Sequence, residues 1–170
     1  AGNHYGDKLS KINYGCNEVF KTLRNVGYSG DRIYYLNQPE YYPQDVDGDG
    51  FNDIDALSTS SNLHWAINTW ALSRVSPVEP LFLYLFDHGG VDAFCIDSPD
   101  TVSSTQLGSW LNTLEEATGA AIHVIYAACH SGSFIEELSS TGRVIATSCR
   151  GTESSQVSPD GKWEAFSQPF

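Results

Sequence analysis

An apolar run, Ala121-Ile-His-Val-Ile-Tyr-Ala-Ala128, stops at Cys129 and gives way at once to His130-Ser-Gly-Ser133. Apolar runs of this length suit strands covered on both faces, the situation in parallel sheets. In open α/β sheets the chemistry lies just outside the carboxyl ends of such strands, so the run delivers Cys129 to the place where a nucleophile belongs. Ser131, Gly132 and Ser133 then permit a tight turn into a helix carrying Phe134 to Leu138. The free N–H groups and dipole of that helix favour a thiolate over a thiol.

A second run, Leu81-Phe-Leu-Tyr-Leu-Phe86, ends the same way, in Asp87-His88-Gly89-Gly90. Two buried strands that bring a cysteine and a histidine to one sheet edge supply the minimum apparatus of thiol catalysis. Taken singly, each residue has a plainer reading: Cys129 as a small buried hydrophobe, His88 as a satisfied strand-end imidazole. The glycines after His88 favour the catalytic reading, because they let the backbone approach a substrate and aim the Gly89 N–H at a developing oxyanion, with the Cys129 N–H as second donor.

Phe86-Asp-His-Gly-Gly90 and Ala128-Cys-His-Ser-Gly-Ser133, each after an apolar strand and in this order, resemble the legumain-like cysteine peptidases, the asparaginyl endopeptidase family of the caspase-type clan. The resemblance implies a cysteine endopeptidase acting on peptide or protein substrates. It implies that Asn3 orients His88, and that Glu153, Ser154 and Ser155 line a specificity pocket together with His130 beside the nucleophile. A basic pair expected early in the first helix region is replaced by Ser10 and Lys11, so the pocket is not a copy. It also implies a caspase-like three-layer α-β-α sandwich with a mostly parallel sheet.

The remaining pattern agrees with an α/β chain. Cys16, Val19, Phe20, Leu23 and Val26 recur at three and four and predict a helix over 13–26, closed by Gly27. A strand is predicted over 32–36, and a helix over 62–73 with Ser60 or Ser61 as cap. A short hairpin over 91–96, a helix over 105–117 and a strand over 144–149 follow. Alternating strands and helices give a mainly parallel sheet with right-handed crossovers. All 170 residues read as one domain. Only Ala1-Gly2 stands for the strands before the first helix and no helix follows the last loop, so the sheet is expected to be incomplete at both ends and the chain a fragment of a longer protein. The lack of any methionine fits an upstream segment, with a secreted or cell-surface location as the expectation.

Asp45-Val-Asp-Gly-Asp-Gly-Phe-Asn-Asp-Ile-Asp55 is a second constellation. Carboxylates at Asp45, Asp47, Asp49 and Asp53, Gly50 at the sharp turn and the Phe51 carbonyl match the oxygen cage of an EF-hand-like Ca2+ loop over 45–56. Ala56 stands where the bidentate glutamate belongs, so Asp53 or Asp55 must close the shell. The loop reads as a structural calcium staple inserted into a bacterial-type member of the family; the plainer reading is a solvated acidic loop.

Nine basic against twenty-one acidic side chains give a formal charge of −12, which excludes nucleic acid as the main partner. No apolar run approaches the roughly 18 residues of a membrane span. The four cysteines include no Cys-x-x-Cys, and a Cys16–Cys149 pair stays open. Two other functions remain in view: a transpeptidase using the same Cys/His pair, and a non-catalytic peptide-binding module stabilised by calcium.

Overall fold

Cys16, Phe20 and Leu23 fall on one face of helix α1, which spans Tyr5–Asn25 in the computed structural model; residues 5–97, 99–156 and 166 are described. Gly27, at φ 104°, closes the helix in a Schellman arrangement. Tyr28 N–H donates to Leu23 O at 3.0 Å and Gly27 N–H to Arg24 O at 3.1 Å, a backbone path that a Cβ would strain.

The strand expected at 32–36 is shorter. Gly30–Arg32 is a 3₁₀ turn, and only Leu36–Asn37 (β1) pairs, in parallel with Ala56–Leu57 (β2). The Asp55 carboxylate is the cause. It accepts from Tyr35 N–H at 2.7 Å while Asp55 N–H donates to Tyr35 O at 2.9 Å, so a side chain takes over pairing where a longer ladder would have run. Phe20, Tyr35, Val46 and Ile54 form the core of this compact unit, which runs to Ser58, with the Phe20 and Tyr35 rings stacked 5.7 Å apart.

Thr59–Ser155 make a second compact unit. Its first helix, α2 (Ser60–Trp65), is capped by Thr59 rather than by Ser60 or Ser61. Thr59 is the last extended residue, and its hydroxyl accepts from Asn62 N–H at 3.1 Å. Beyond Trp65 the helix loosens into a π turn, Ala66–Trp70, and a 3₁₀ turn, Ala71–Ser73, while Leu63, Ile67 and Ala71 stay buried.

The apolar runs form β3 (Leu81–Phe86) and, further on, β7 (Ile122–Ala127), which pair in parallel with each other. Between them lie a three-stranded antiparallel ribbon, β4 (His88–Gly90), β5 (Ala93–Asp97) and β6 (Asp100–Val102), and helix α3 (Ser104–Thr118). Ser103 and Gln106 give α3 a capping box, and Gly119 at φ 68° ends it. After β7, a 3₁₀ turn (Ser131–Phe134) and a single-turn helix α4 (Ile135–Leu138) lead to β8 (Arg143–Thr147), parallel to β7. The sheet order β3-β7-β8, with α3 packed on α4 and on the turns after α2, is a caspase-like α/β sandwich with a mainly parallel sheet.

Strand alternation puts Ile122, Val124 and Tyr126 on one sheet face, all fully or nearly fully buried. Phe134 packs edge-on to Tyr126 at 4.8 Å, and Leu107, Leu111, Leu114 and Leu138 complete the core. Arg143, with its side chain 1% exposed, ties the start of β8 to this layer. It makes two 2.8 Å bonds to the Glu115 carboxylate and donates to Asn112 Oδ1 at 2.6 Å and Leu138 O at 2.9 Å, so its buried charge is fully paired.

Candidate active site

The parallel register ends with Phe86 opposite Ala127. Asp87 and His88 follow on one chain segment and Ala128 and Cys129 on the other, so His88 and Cys129 each lie two residues past the last rung of neighbouring parallel strands. Gly89 lies directly against the backbone of Cys129. A Cβ there would overlap the Cys129 carbonyl oxygen and would stand 3.0 Å from Ala128 Cβ and 3.1 Å from Tyr126 Oη. Gly90 and Ala93 flank the two-residue turn of the β4–β5 hairpin, which makes them a hydrogen-bonded pair and leaves Gly89 and Phe94 as the non-bonded pair after it. The Gly89 N–H therefore points away from β5. His88 N–H donates to Asp87 Oδ1 at 2.7 Å, and the imidazole Nε2 is shielded from solvent.

The turn after Cys129 is bonded to the loop that follows β8. His130, at φ 58°, donates its N–H to Glu153 O at 2.8 Å, and its Nδ1 lies 3.0 Å from Gly151 O. Ser131 N–H donates to Ala128 O at 3.3 Å, Gly132 N–H to Cys149 O at 3.0 Å and Ser133 N–H to His130 O at 2.9 Å. The N–H groups expected to favour a thiolate are thus taken by carbonyls, and α4 is too short to add a macrodipole of consequence. Gly132 and Gly151 allow this close approach: a Cβ on Gly132 would lie 2.7 Å from Cys149 O and from Gly151 N. Ser133 Oγ accepts from Asp92 N–H at 3.0 Å and donates to His130 O at 2.7 Å, joining the β4–β5 turn to the turn after Cys129.

Of the pocket residues, Glu153 turns its carboxylate back on its own loop. Oε2 accepts from Arg150 N–H at 3.2 Å, and Oε1 is 3.8 Å from Arg150 Nη1, both side chains being largely exposed. Ser154 is exposed and Ser155 half-buried beside it. Asn3 lies outside the described residues. The His64 ring packs against Trp110, tilted by 38° with centroids 4.9 Å apart.

Three residues near the site are not evident from the sequence pattern. Cys95 sits directly across from His88 in the β4–β5 ladder; burial, and after it the Asp87 carboxylate, push its thiol pKa up. Tyr126 lies beneath, fully buried between Phe94 and Phe134. Burial foremost, then Cys95, Cys149, Asp87 and Cys129, raise its phenol pKa and keep it protonated. Ser148, at the end of β8, bonds both the N–H and the O of Ala128 at 3.1 Å each. Cys149 donates to backbone oxygens, 3.3 Å to Ala128 and 3.2 Å to Glu153. None of the four cysteines is in a disulfide.

In the first unit, Asp45, Asp47 and Asp49 bring carboxylate oxygens within 4.8 Å of one another. Gly48 and Gly50, at φ 83° and 91°, supply the turn, and their N–H groups donate to the Asp45 carboxylate at 2.7 and 2.9 Å. Arg24 pairs with Asp47 Oδ2 at 3.0 Å. Asp53 does not join the triplet; its Oδ2 accepts from Val46 N–H at 2.7 Å and Asp47 N–H at 3.2 Å. Asp55 faces Tyr35. Phe51 is three-quarters exposed, its N–H donating to Asp49 Oδ1 at 2.9 Å.

A profile of the peptidase C13 family matches residues 28–159, a span that includes both strand ends and the loop after β8. No curated protein matches the chain.

Proposed function

Because the chain belongs to the legumain-like peptidase C13 family, whose members are cysteine peptidases, we propose that it is an endopeptidase working through a thioester acyl-enzyme on Cys129, with His88 as proton carrier. The observation that supports this reading is the parallel β3–β7 register, whose last rung lies two residues before both His88 and Cys129, together with a Gly89 backbone pressed on the Cys129 carbonyl. His88 takes the proton of the Cys129 thiol, and sulfur adds to the scissile carbonyl carbon. The carbonyl oxygen gains the charge and accepts hydrogen bonds from the N–H groups of Gly89 and Cys129, each such donor being worth about 2.7–4 kcal/mol in the transition state. Collapse breaks the C–N bond, and His88 returns the proton to the leaving amine. Water, deprotonated by His88, then adds to the thioester and expels the thiol; an amine in its place gives transpeptidation. Asn3 is assigned, by family resemblance, the orientation of His88.

His130 acts chiefly by holding the Cys149–Glu153 segment, since both its N–H and its Nδ1 are engaged there. Glu153, Ser154 and Ser155 then form a polar, acidic wall, which favours asparagine or a basic residue before the scissile bond and disfavours aspartate. Calcium completes the reading for the first unit. Asp45, Asp47 and Asp49 have the hard oxygen chemistry and the mutual approach that Ca2+ requires, with the Phe51 carbonyl and the second oxygen of Asp53 as further donors. The ion would neutralise a crowded anionic loop and staple it rather than take part in the chemistry, and Asp55 is left to Tyr35.

Profiling on a peptide library tests the activity. Cleavage after asparagine or basic residues that disappears in Cys129→Ala, at an unchanged melting temperature, is expected. Turnover surviving in that variant sinks the assignment, and peptide binding without cleavage by the parent protein points to a binding module instead.

A further inference from the structure

The β7–β8 ladder ends in an unusual rung. Its last regular bond runs from Ser148 N–H to Tyr126 O at 3.1 Å. In a parallel ladder the next bond runs from Ala128 N–H to the carbonyl of Ser148, because one residue bridges the two that flank its partner on the neighbouring strand. Here Ala128 N–H donates instead to the Ser148 hydroxyl, 3.1 Å away. The chain leaves the sheet after Thr147 to start the loop over 148–155, and the side chain stands in for the departing carbonyl. The same hydroxyl donates to Ala128 O at 3.1 Å and meets Ser131 Oγ at 3.3 Å. Ala128 is 2% exposed and Ser131 is fully buried, while Ser148 is half-buried, so the hydroxyl's partners lie on the inner side of the rung.

We propose that Ser148 is a positioning residue for the reaction, holding the Ala128–Cys129 peptide by its N-terminal side so that the Cys129 amide and thiol stay level with Gly89 and His88. It acts through the backbone of its neighbour and touches neither substrate nor reacting atoms. The proposal rests on the peptidase reading for its kinetic part only. Cys129 is held on one side by the several bonds of the His130–Ser133 turn and on the other through Ala128, whose O accepts from Ser148 Oγ, Ser131 N–H and Cys149 Sγ while its N–H donates to the Ser148 hydroxyl. Loss of the hydroxyl should therefore let the nucleophile drift without unravelling the loop. A displacement of that kind lowers kcat and leaves KM, which the loop after β8 governs, nearly unchanged.

The test compares the parent protein with Ser148→Ala, Ser148→Thr and Ser148→Val. Threonine keeps the hydroxyl, and valine is its isostere without one, so this pair isolates the bond even where the alanine variant fails to fold. Expected are kcat values reduced by about tenfold or more in Ser148→Ala and Ser148→Val, KM within about twofold, and recovery in Ser148→Thr. A second readout needs no turnover: the rate and pH profile of Cys129 alkylation by iodoacetamide, with hydrogen exchange at residues 128–131. Faster exchange and an altered alkylation profile in the hydroxyl-free variants, in a parent protein that cleaves no peptide, uphold the positioning role and remove the peptidase reading. Equal kcat, alkylation and exchange in Ser148→Thr and Ser148→Val overturn the proposal.

Discussion

Replacing Gly89 by alanine perturbs the site at its tightest contact. The added methyl would overlap the Cys129 carbonyl oxygen and press on Ala128 Cβ and Tyr126 Oη at 3.0 and 3.1 Å. None of these is the loose end of a flexible side chain, and Tyr126 is locked between Phe94 and Phe134, so β4 must move away from β7. Overpacking of this kind costs about 1–3 kcal/mol of stability, or a melting temperature lower by roughly 2–12 °C at this chain length. The catalytic loss adds to this: moving an oxyanion donor and the adjacent imidazole by about 1 Å costs on the order of a hundredfold in rate. Gly90→Ala is the internal control, since a Cβ there meets only Ala93 Cβ, at an ordinary 3.8 Å. The assay is kcat/KM on a peptide substrate with a melting curve for each variant. A near-parental rate in Gly89→Ala, or equal losses in the two variants, would refute the close approach of β4 to the nucleophile and the oxyanion role with it.

Calcium at saturation, about 100 times its dissociation constant, should stabilise the fold by about 2.7 kcal/mol through mass action; a chelator reverses this, and Asp45→Ala/Asp47→Ala/Asp49→Ala shows no response in the same melting experiment. An unchanged midpoint in the parent protein leaves the loop as a solvated acidic turn. Tyr126, whose phenol pKa is raised by burial, contributes stability that is fully present below the unfolded phenol's value near 10 and is lost as the pH rises beyond it through the higher folded value. Tyr126→Phe should therefore flatten the fall of stability from about pH 10 upward, measured by denaturant unfolding across pH; parental pH dependence contradicts the shift.

The strand frame of the candidate site was legible because it is carried by strand ends: apolar runs identify β3 and β7, which pair in parallel, and His88 and Cys129 follow their last rung. Local patterns also survived well. The helix over 104–118 announced itself through Leu107, Leu111 and Leu114, and the Asp45–Asp49 cluster through spacing within a single loop. What failed to show was set by partners distant in sequence. Asp55 belongs to Tyr35, 20 positions away, which shortens β1 and removes that carboxylate from the acidic cluster. Ser148 looks like an ordinary strand residue until the point where β8 leaves the sheet is known, and Cys95 faces His88 only through the pairing of β4 with β5. The N–H groups expected to lie free after Cys129 are taken for a related reason: the carbonyls of Cys149 and Glu153, with those of Ala128 and His130, accept them because the loop after β8 docks on the turn.

The central claim is that Cys129 and His88 act as one unit, and the direct measurement is the rate at which a peptide bearing a thiol-reactive electrophile labels each of the four cysteines, read by mass spectrometry in the parent protein and in His88→Ala. Labelling confined to Cys129 and slowed by about a hundredfold or more without the imidazole is the predicted result. Equal rates in the two proteins, or label distributed over Cys16, Cys95 and Cys149, would contradict it.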